Sequence, residues 1–125
     1  MMTNKQKSPY GVYLEYLQQG QLAYQYSTAA NKAIFFPREI CPETGLECLE
    51  WRVSKGFGTV YSTSAVHPRE GAVYNVALID CDEGFRLMSR VEQISPEQVK
   101  IGMRVQFKTH QPDGDDPYPV FVPVA

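Results

Sequence analysis

The sequence predicts a mainly β protein with one N-terminal helix, a small ribbon of short strands and a five-stranded barrel. Three observations predict it. Five segments from Thr59 onward are β-branched or alternate apolar with polar residues, and breaks rich in Gly, Pro or Asp separate them. One apolar stripe, Tyr10, Tyr13, Leu14 and Leu17, falls at helical spacing between Ser8-Pro9 and Gly20. Between these regions, Tyr26 to Gly45 (YSTAANKAIFFPREICPETG) sets two small-residue turns around a short apolar stretch, the rhythm of two facing knuckles.

Each element has a local reason. Ser8 is a good N-cap, and Pro9 suits a first helical position, where its missing N–H costs nothing. The helix is expected over roughly Pro9 to Gln19, with Gly20 as its stop. A helix this short is marginal alone, so its stripe must dock on the ribbon or on another protein. Leu22 to Tyr26, Ala33 to Phe36 and Glu47 to Val53 read as the ribbon strands, and Lys55-Gly56-Phe57-Gly58 as a hinge. Two domains follow, 1–54 and 55–125. In the second, Thr59 to Val66 is a strand by composition. Val73 to Asp80 is apolar on both faces and reads as central. Phe85, Leu87 and Val91 read as one half-buried strand. Ser95-Pro96-Glu97-Gln98 matches a capping box opening a single helical turn. Arg104 to Thr109 alternates, with Val105 and Phe107 inward, and Val120 to Val124 closes the chain. Five strands, with a helical turn between the third and fourth and a long Pro/Gly-rich loop before the fifth, have the count and size of an OB-fold.

Composition narrows the function. A chain of 125 residues can bury a core without disulfides. Its net charge of -2 offers no basic face for a polyanion. No apolar run approaches the ~20 residues that span a bilayer, and MMTNKQKSPYG lacks the apolar core of a signal peptide. Three cysteines, an odd number without framework spacing, fit reduced thiols and a cytoplasmic protein.

The residues that carry chemistry elsewhere do not assemble a catalytic set here. Ser62, Ser64 and His67 suggest a nucleophile and base, but no acid is placed to orient the His. His67 precedes Pro68 at a strand end and reads as a turn residue or a partner contact. Asp80, Asp82 and Glu83 read as a solvated turn. Asp113 to Asp116 lacks the length and distal Glu of a calcium loop. Gly56-Phe57-Gly58 is too short to cradle a phosphate. Tyr61, Tyr74 and Phe85 have the ring chemistry to stack bases in a single-stranded nucleic-acid binder, the alternative reading, which the acidic balance opposes.

The order of motifs resembles a family that joins a rubredoxin-like zinc ribbon to an OB-fold and accompanies acyl-CoA enzymes. The residues carrying the resemblance are Gly20-Gln21-Leu22, Tyr24-Gln25, Phe36-Pro37-Arg38, Cys41-Pro42, Gly45 and Trp51. In the barrel they are Gly56 to Ser62, His67, Gly84-Phe85-Arg86-Leu87 and Ile101-Gly102-Met103-Arg104-Val105. They span nearly the whole chain. The resemblance implies a non-catalytic partner of a thiolase-like or lipid-transfer-protein-like enzyme, shaping its CoA channel. Arg38, Phe57, Tyr61, Ser62 and His67 are the candidate contacts to partner or acyl-CoA; Arg38, next to Pro37, suits either an anion such as a CoA phosphate or a surface ion pair. The resemblance also places four zinc ligands at Ser27, Ala30, Cys41 and Thr44, and here only Cys41 is a thiol. Structural zinc needs four Cys or His ligands, so the expectation is a ribbon without metal and a protein without cofactor. Aromatic packing by Tyr24, Tyr26, Phe35, Phe36 and Trp51 is expected to brace it instead.

Overall fold

The computed structural model describes residues 8–35 and 49–124. In chain order it has a helix α1 (Pro9–Gln18) and strands β1 (Ala23–Ser27), β2 (Lys32–Ile34), β3 (Leu49–Val53), β4 (Phe57–Val66), β5 (Tyr74–Cys81) and β6 (Arg86–Ser89). A 3-10 turn, Pro96–Gln98, precedes β7 (Arg104–His110) and β8 (Tyr118–Pro123). The helix, the ribbon strands and the five barrel strands expected from the sequence are all present. No described helix is long and apolar enough to cross a membrane.

The chain divides into two compact units. One holds Met1–Lys55 with Thr109–Tyr118, the other Gly56–Lys108 with Pro119–Ala125. In the first, Ser8 caps α1 by accepting the Gly11 amide on its hydroxyl at 3.0 Å, and Pro9 occupies the first helical position. The helix stops at Gly20, whose φ of 78° is open to glycine at no steric cost. Tyr13 and Leu17 are buried, and Leu22 is 1% exposed. Burying side chains of this size contributes roughly 1.5–3 kcal/mol each, which is what holds a ten-residue helix that would fray alone. The dock is the ribbon. Tyr13 meets Phe35 edge-on at 5.7 Å and Tyr16 meets Trp51 at 5.8 Å. The ribbon sheet has the order β2-β1-β3, both pairs antiparallel.

The second unit is built on the order β6-β5-β4-β7-β8. β4, β5 and β6 form an antiparallel meander, and the first residues of β4 also pair with β7. The sheet closes on itself by a parallel bridge between Val91 and Phe121. There Phe121 donates its amide to the Arg90 carbonyl at 3.0 Å, and Glu92 donates to the Phe121 carbonyl at 2.7 Å. A meander closed by a parallel contact to the last strand is the five-stranded barrel that the strand count predicts. Val60, Ile79, Leu87, Val105, Val120 and Phe121 fill it, each at most 3% exposed.

Four local expectations change. Phe57 and Gly58, read as part of a hinge, already belong to β4. A Cβ on Gly58 would sit 2.7 Å from Ile79 Cγ2 and 2.9 Å from the Asp80 carbonyl, so glycine is needed for close strand approach. β5 is buried on one face only, because the barrel has one interior. The Phe85 to Val91 strand ends at Ser89, and Val91 turns to the closing bridge. The capping box does not form. Ser95 makes no side-chain cap bond, since the turn is a single 3-10 unit closed by the Gln98 amide on the Ser95 carbonyl at 2.9 Å.

Candidate functional site

The face of the meander that turns away from the barrel interior is the candidate site. Asn75, Ala77, Ile79 and Cys81 of β5 point inward and are buried, which leaves Tyr74, Val76, Leu78 and Asp80 outward and at least partly exposed. On β6, Leu87 is buried while Arg86 and Met88 are exposed. Met88 lies opposite Leu78, and Arg86 opposite Asp80. On β4, the register slips between Val60 and Ser62, so that Tyr61 is the extra residue of a bulge. Tyr61 is 50% exposed, Tyr74 47% and Met88 71%. Apolar residues of this size on the outward face of a barrel contribute nothing to the core.

Charge on this face is paired within the chain. Arg104, Thr59, Asp80 and Arg86 lie opposite one another across β7, β4, β5 and β6. Arg86 donates Nε and Nη2 to the two oxygens of Asp80, the second at 3.2 Å, and its guanidinium carbon lies 3.5 Å from the centre of the Tyr61 ring. Arg104 donates both terminal nitrogens to Asp82 at 2.8 Å, and one also to the Thr59 hydroxyl at 3.1 Å. The hydrogen bond from Arg104 holds the Asp82 carboxyl below its ordinary range. The bonds to Asp80 and Asp82 raise the Arg86 and Arg104 guanidiniums in turn. Arginines committed to carboxylates make a poor track for a phosphate backbone, and this weighs against the single-strand reading.

The candidates named from sequence fall in separate places. Tyr61 lies on this face, and Ser62 pairs opposite its Leu78. Phe57 is at the start of β4, half-buried, opposite Gln106 of β7. His67 is exposed beyond the end of β4. Arg38, Cys41 and Thr44 lie outside the described residues, as does Phe36. Ser27 and Ala30 form the β1–β2 turn, where the Ser27 hydroxyl accepts the Ala30 amide at 3.1 Å. Sequence reasoning did not find Arg86, Asp80, Met88 or Leu78 as surface partners. The alternation of Arg86 and Met88 with buried Leu87 was the available signal.

Among the described residues, no group of three or more His, Cys, Asp or Glu is placed to hold a metal ion. The Cys81 thiol is buried, and burial first, then the charges of Glu83, Asp82 and Asp80, push it up to about 12. A thiol so far from its thiolate is a poor nucleophile.

Comparison with known proteins agrees in fold. The family model for the ChsH2 C-terminal OB-fold domain matches residues 51–110. A DUF35 domain-containing scaffold protein of Methanocaldococcus jannaschii is 40% identical over 93 residues, 66% of this chain and 65% of that protein. One of Methanothermobacter thermautotrophicus is 32% identical, covering 66% of this chain and 69% of that protein. A probable enoyl-CoA hydratase alpha subunit of Thermomonospora curvata is 30% identical over 90% of this chain and 37% of its own length. The chain thus spans about two thirds of the archaeal relatives and just over a third of the Thermomonospora protein. Among solved structures, a chain of the Ltp2-ChsH2(DUF35) aldolase superposes with a TM-score of 0.81 at 28% identity, covering 95% of this chain and 97% of that one.

Proposed function

Since the chain belongs to the DUF35 family, we propose that it is a non-catalytic accessory subunit of an acyl-CoA-processing enzyme, of the thiolase-like or lipid-transfer-protein-like kind. The observation that carries the reading is the outward face of β4, β5 and β6. It presents Tyr61, Tyr74 and Met88 to solvent beside arginines already neutralised by Asp80 and Asp82. Exposed aromatic and Met side chains with few unpaired charges have the composition of a protein interface core. The relatives support the same direction: two are named as scaffold proteins, one as a probable enoyl-CoA hydratase subunit, and the superposing chain comes from an aldolase complex.

In this reading the barrel meets the partner enzyme through Tyr61 and its neighbours, and Phe57, Ser62 and His67 lie along or beside that contact. Arg38 is the proposed contact to a CoA phosphate, and the barrel borders the CoA channel. The test is affinity purification of the tagged chain from its native host, with mass spectrometry of what it retains. An acyl-CoA enzyme at near-equal stoichiometry is expected, and its yield falls at least tenfold when Tyr61 and Met88 are both changed to Ser. Recovery of the chain alone counts against the reading.

A further inference from the structure

Among the described residues, β3 is an edge strand. It pairs with β1 on one side, and among the described residues no strand pairs its other side. Free strand edges present unpaired backbone groups and recruit another strand. The sequence of this edge, Leu49-Glu50-Trp51-Arg52-Val53, reads as its own complement about Trp51. When two copies run antiparallel with Trp51 opposite Trp51, Glu50 of each faces Arg52 of the other, and Leu49 faces Val53. Opposite charges directly across a sheet stabilise it and like charges oppose it.

Both faces of the strand fit this register. On one face Glu50 and Arg52 already pair within the chain at 2.8 Å, each nearly half-exposed, with the Arg52 guanidinium over the Tyr26 ring at 3.8 Å. Two copies turn this pair into a closed group of four alternating charges. On the other face, Trp51 and the α1 residues Val12, Glu15, Tyr16 and Gln19 line an open groove of about 600 Å³. Val53 is 46% exposed. A second Trp51, brought to the same axis, has apolar ring surface and room there. Sliding the strands by two residues sets Glu50 on Glu50 or Arg52 on Arg52, and sliding by one sets Trp51 against a charge, so the strand's own side chains select a single register.

We propose that this edge joins two copies of the chain into a two-fold dimer through antiparallel β3 pairing centred on Trp51. Such an interface is isologous, the same patch on both subunits. The inference is separate from the accessory-subunit reading, because it is measured on the isolated chain with no enzyme present.

Sedimentation of the full chain across concentration is the test. The wild type is expected to be dimeric at roughly 100 µM and to dissociate on dilution. Glu50→Arg and Arg52→Glu each leave two like charges on the strand, and each weakens the dimer by about tenfold or more. Mixed in equal amounts, the two variants place opposite charges across the axis again, and dimers return as heterodimers. Loss of the intrachain pair cannot mimic that recovery, since both variants have lost it. If a single variant does not fold, the doubly exchanged chain, E50R with R52E, restores every pair in reverse and is expected to dimerise. A wild type that stays monomeric, a mixture no more dimeric than its components, or a monomeric double exchange overturns the proposal.

Discussion

The hydroxyl of Ser27 accepts the amide of Ala30 at 3.1 Å, and the Ser27 carbonyl accepts the amide of Asn31 at 2.8 Å. Ser27 and Ala30 are two of the four positions at which the resemblance implies zinc ligands. Here the serine side chain closes the turn directly, and Asn31 takes the left-handed conformation at φ 55° that such a turn needs. The Ser27 side chain is fully buried, so its replacement leaves a donor without this acceptor. Ser27→Ala is expected to cost about 1–2 kcal/mol in urea unfolding. A strong chelator is expected to leave the melting temperature of the wild type unchanged. A chelator-induced drop of several degrees would show that metal, not the turn and the rings around it, braces the ribbon.

Asn75 is the polar pin of the barrel. It is 4% exposed. Its Nδ2 donates to the Thr63 hydroxyl at 2.7 Å and to the Ser64 carbonyl at 3.3 Å, and its Oδ1 accepts the Val91 amide at 3.0 Å. Val91 is the residue whose bridge to Phe121 closes the sheet. Asn75→Ala strands a buried backbone donor and removes two further bonds. We expect a loss of about 2–4 kcal/mol, read by denaturant unfolding. A loss under about 0.5 kcal/mol would mean that closure does not depend on this side chain.

These two residues show what the sequence could and could not disclose. The helix was legible because Ser8-Pro9 and Gly20 punctuate it and Tyr13 and Leu17 share a face. The barrel strands were legible because inward positions alternate with outward ones. Asn75 was not, since a polar residue in a strand reads as solvent-facing until its three partners, from 11 to 16 residues away, are brought to it. The bulge at Tyr61 was equally hidden. Thr59 to Val66 is small and β-branched throughout except for Tyr61, so no alternation marks where the register slips. The pairing of Arg104 with Asp82 joins residues 22 apart and depends on which strands become neighbours, a property of topology rather than of local pattern.

The Asp82–Arg104 pair makes stability depend on acidity. The folded-state pKa of Asp82 is lowered by its hydrogen bond to Arg104, so the unfolded chain binds a proton first as pH falls. Its contribution is complete above the ordinary Asp range and is lost as pH drops through the lowered value. Both side chains are about half-exposed, and solvent screening keeps the effect small. Asp82→Asn is expected to lower the melting temperature slightly at pH 7, and the gap to wild type is expected to narrow steadily as pH falls below the ordinary Asp range. A gap that stays constant there would assign it to something other than ionisation.

Cys81 should behave as an inert core thiol. Its pKa of about 12 keeps it protonated at neutral pH, and its side chain is buried. Alkylation of the native protein at pH 7.5, followed by peptide mapping, is expected to leave the Cys81 peptide unmodified until denaturant is added. Labelling of the folded protein within minutes would contradict the buried placement.

The proposed role is a division of labour in which this chain supplies surface and another chain supplies chemistry. The most direct measurement is steady-state turnover of an acyl-CoA substrate by three samples: the purified chain, its co-purifying enzyme, and the reconstituted pair. No turnover is expected from the chain alone, and a higher kcat/KM is expected for the pair than for the enzyme alone, a gain lost when Tyr61 and Met88 are both replaced by Ser. Turnover by the isolated chain, or an enzyme indifferent to its presence, would contradict it.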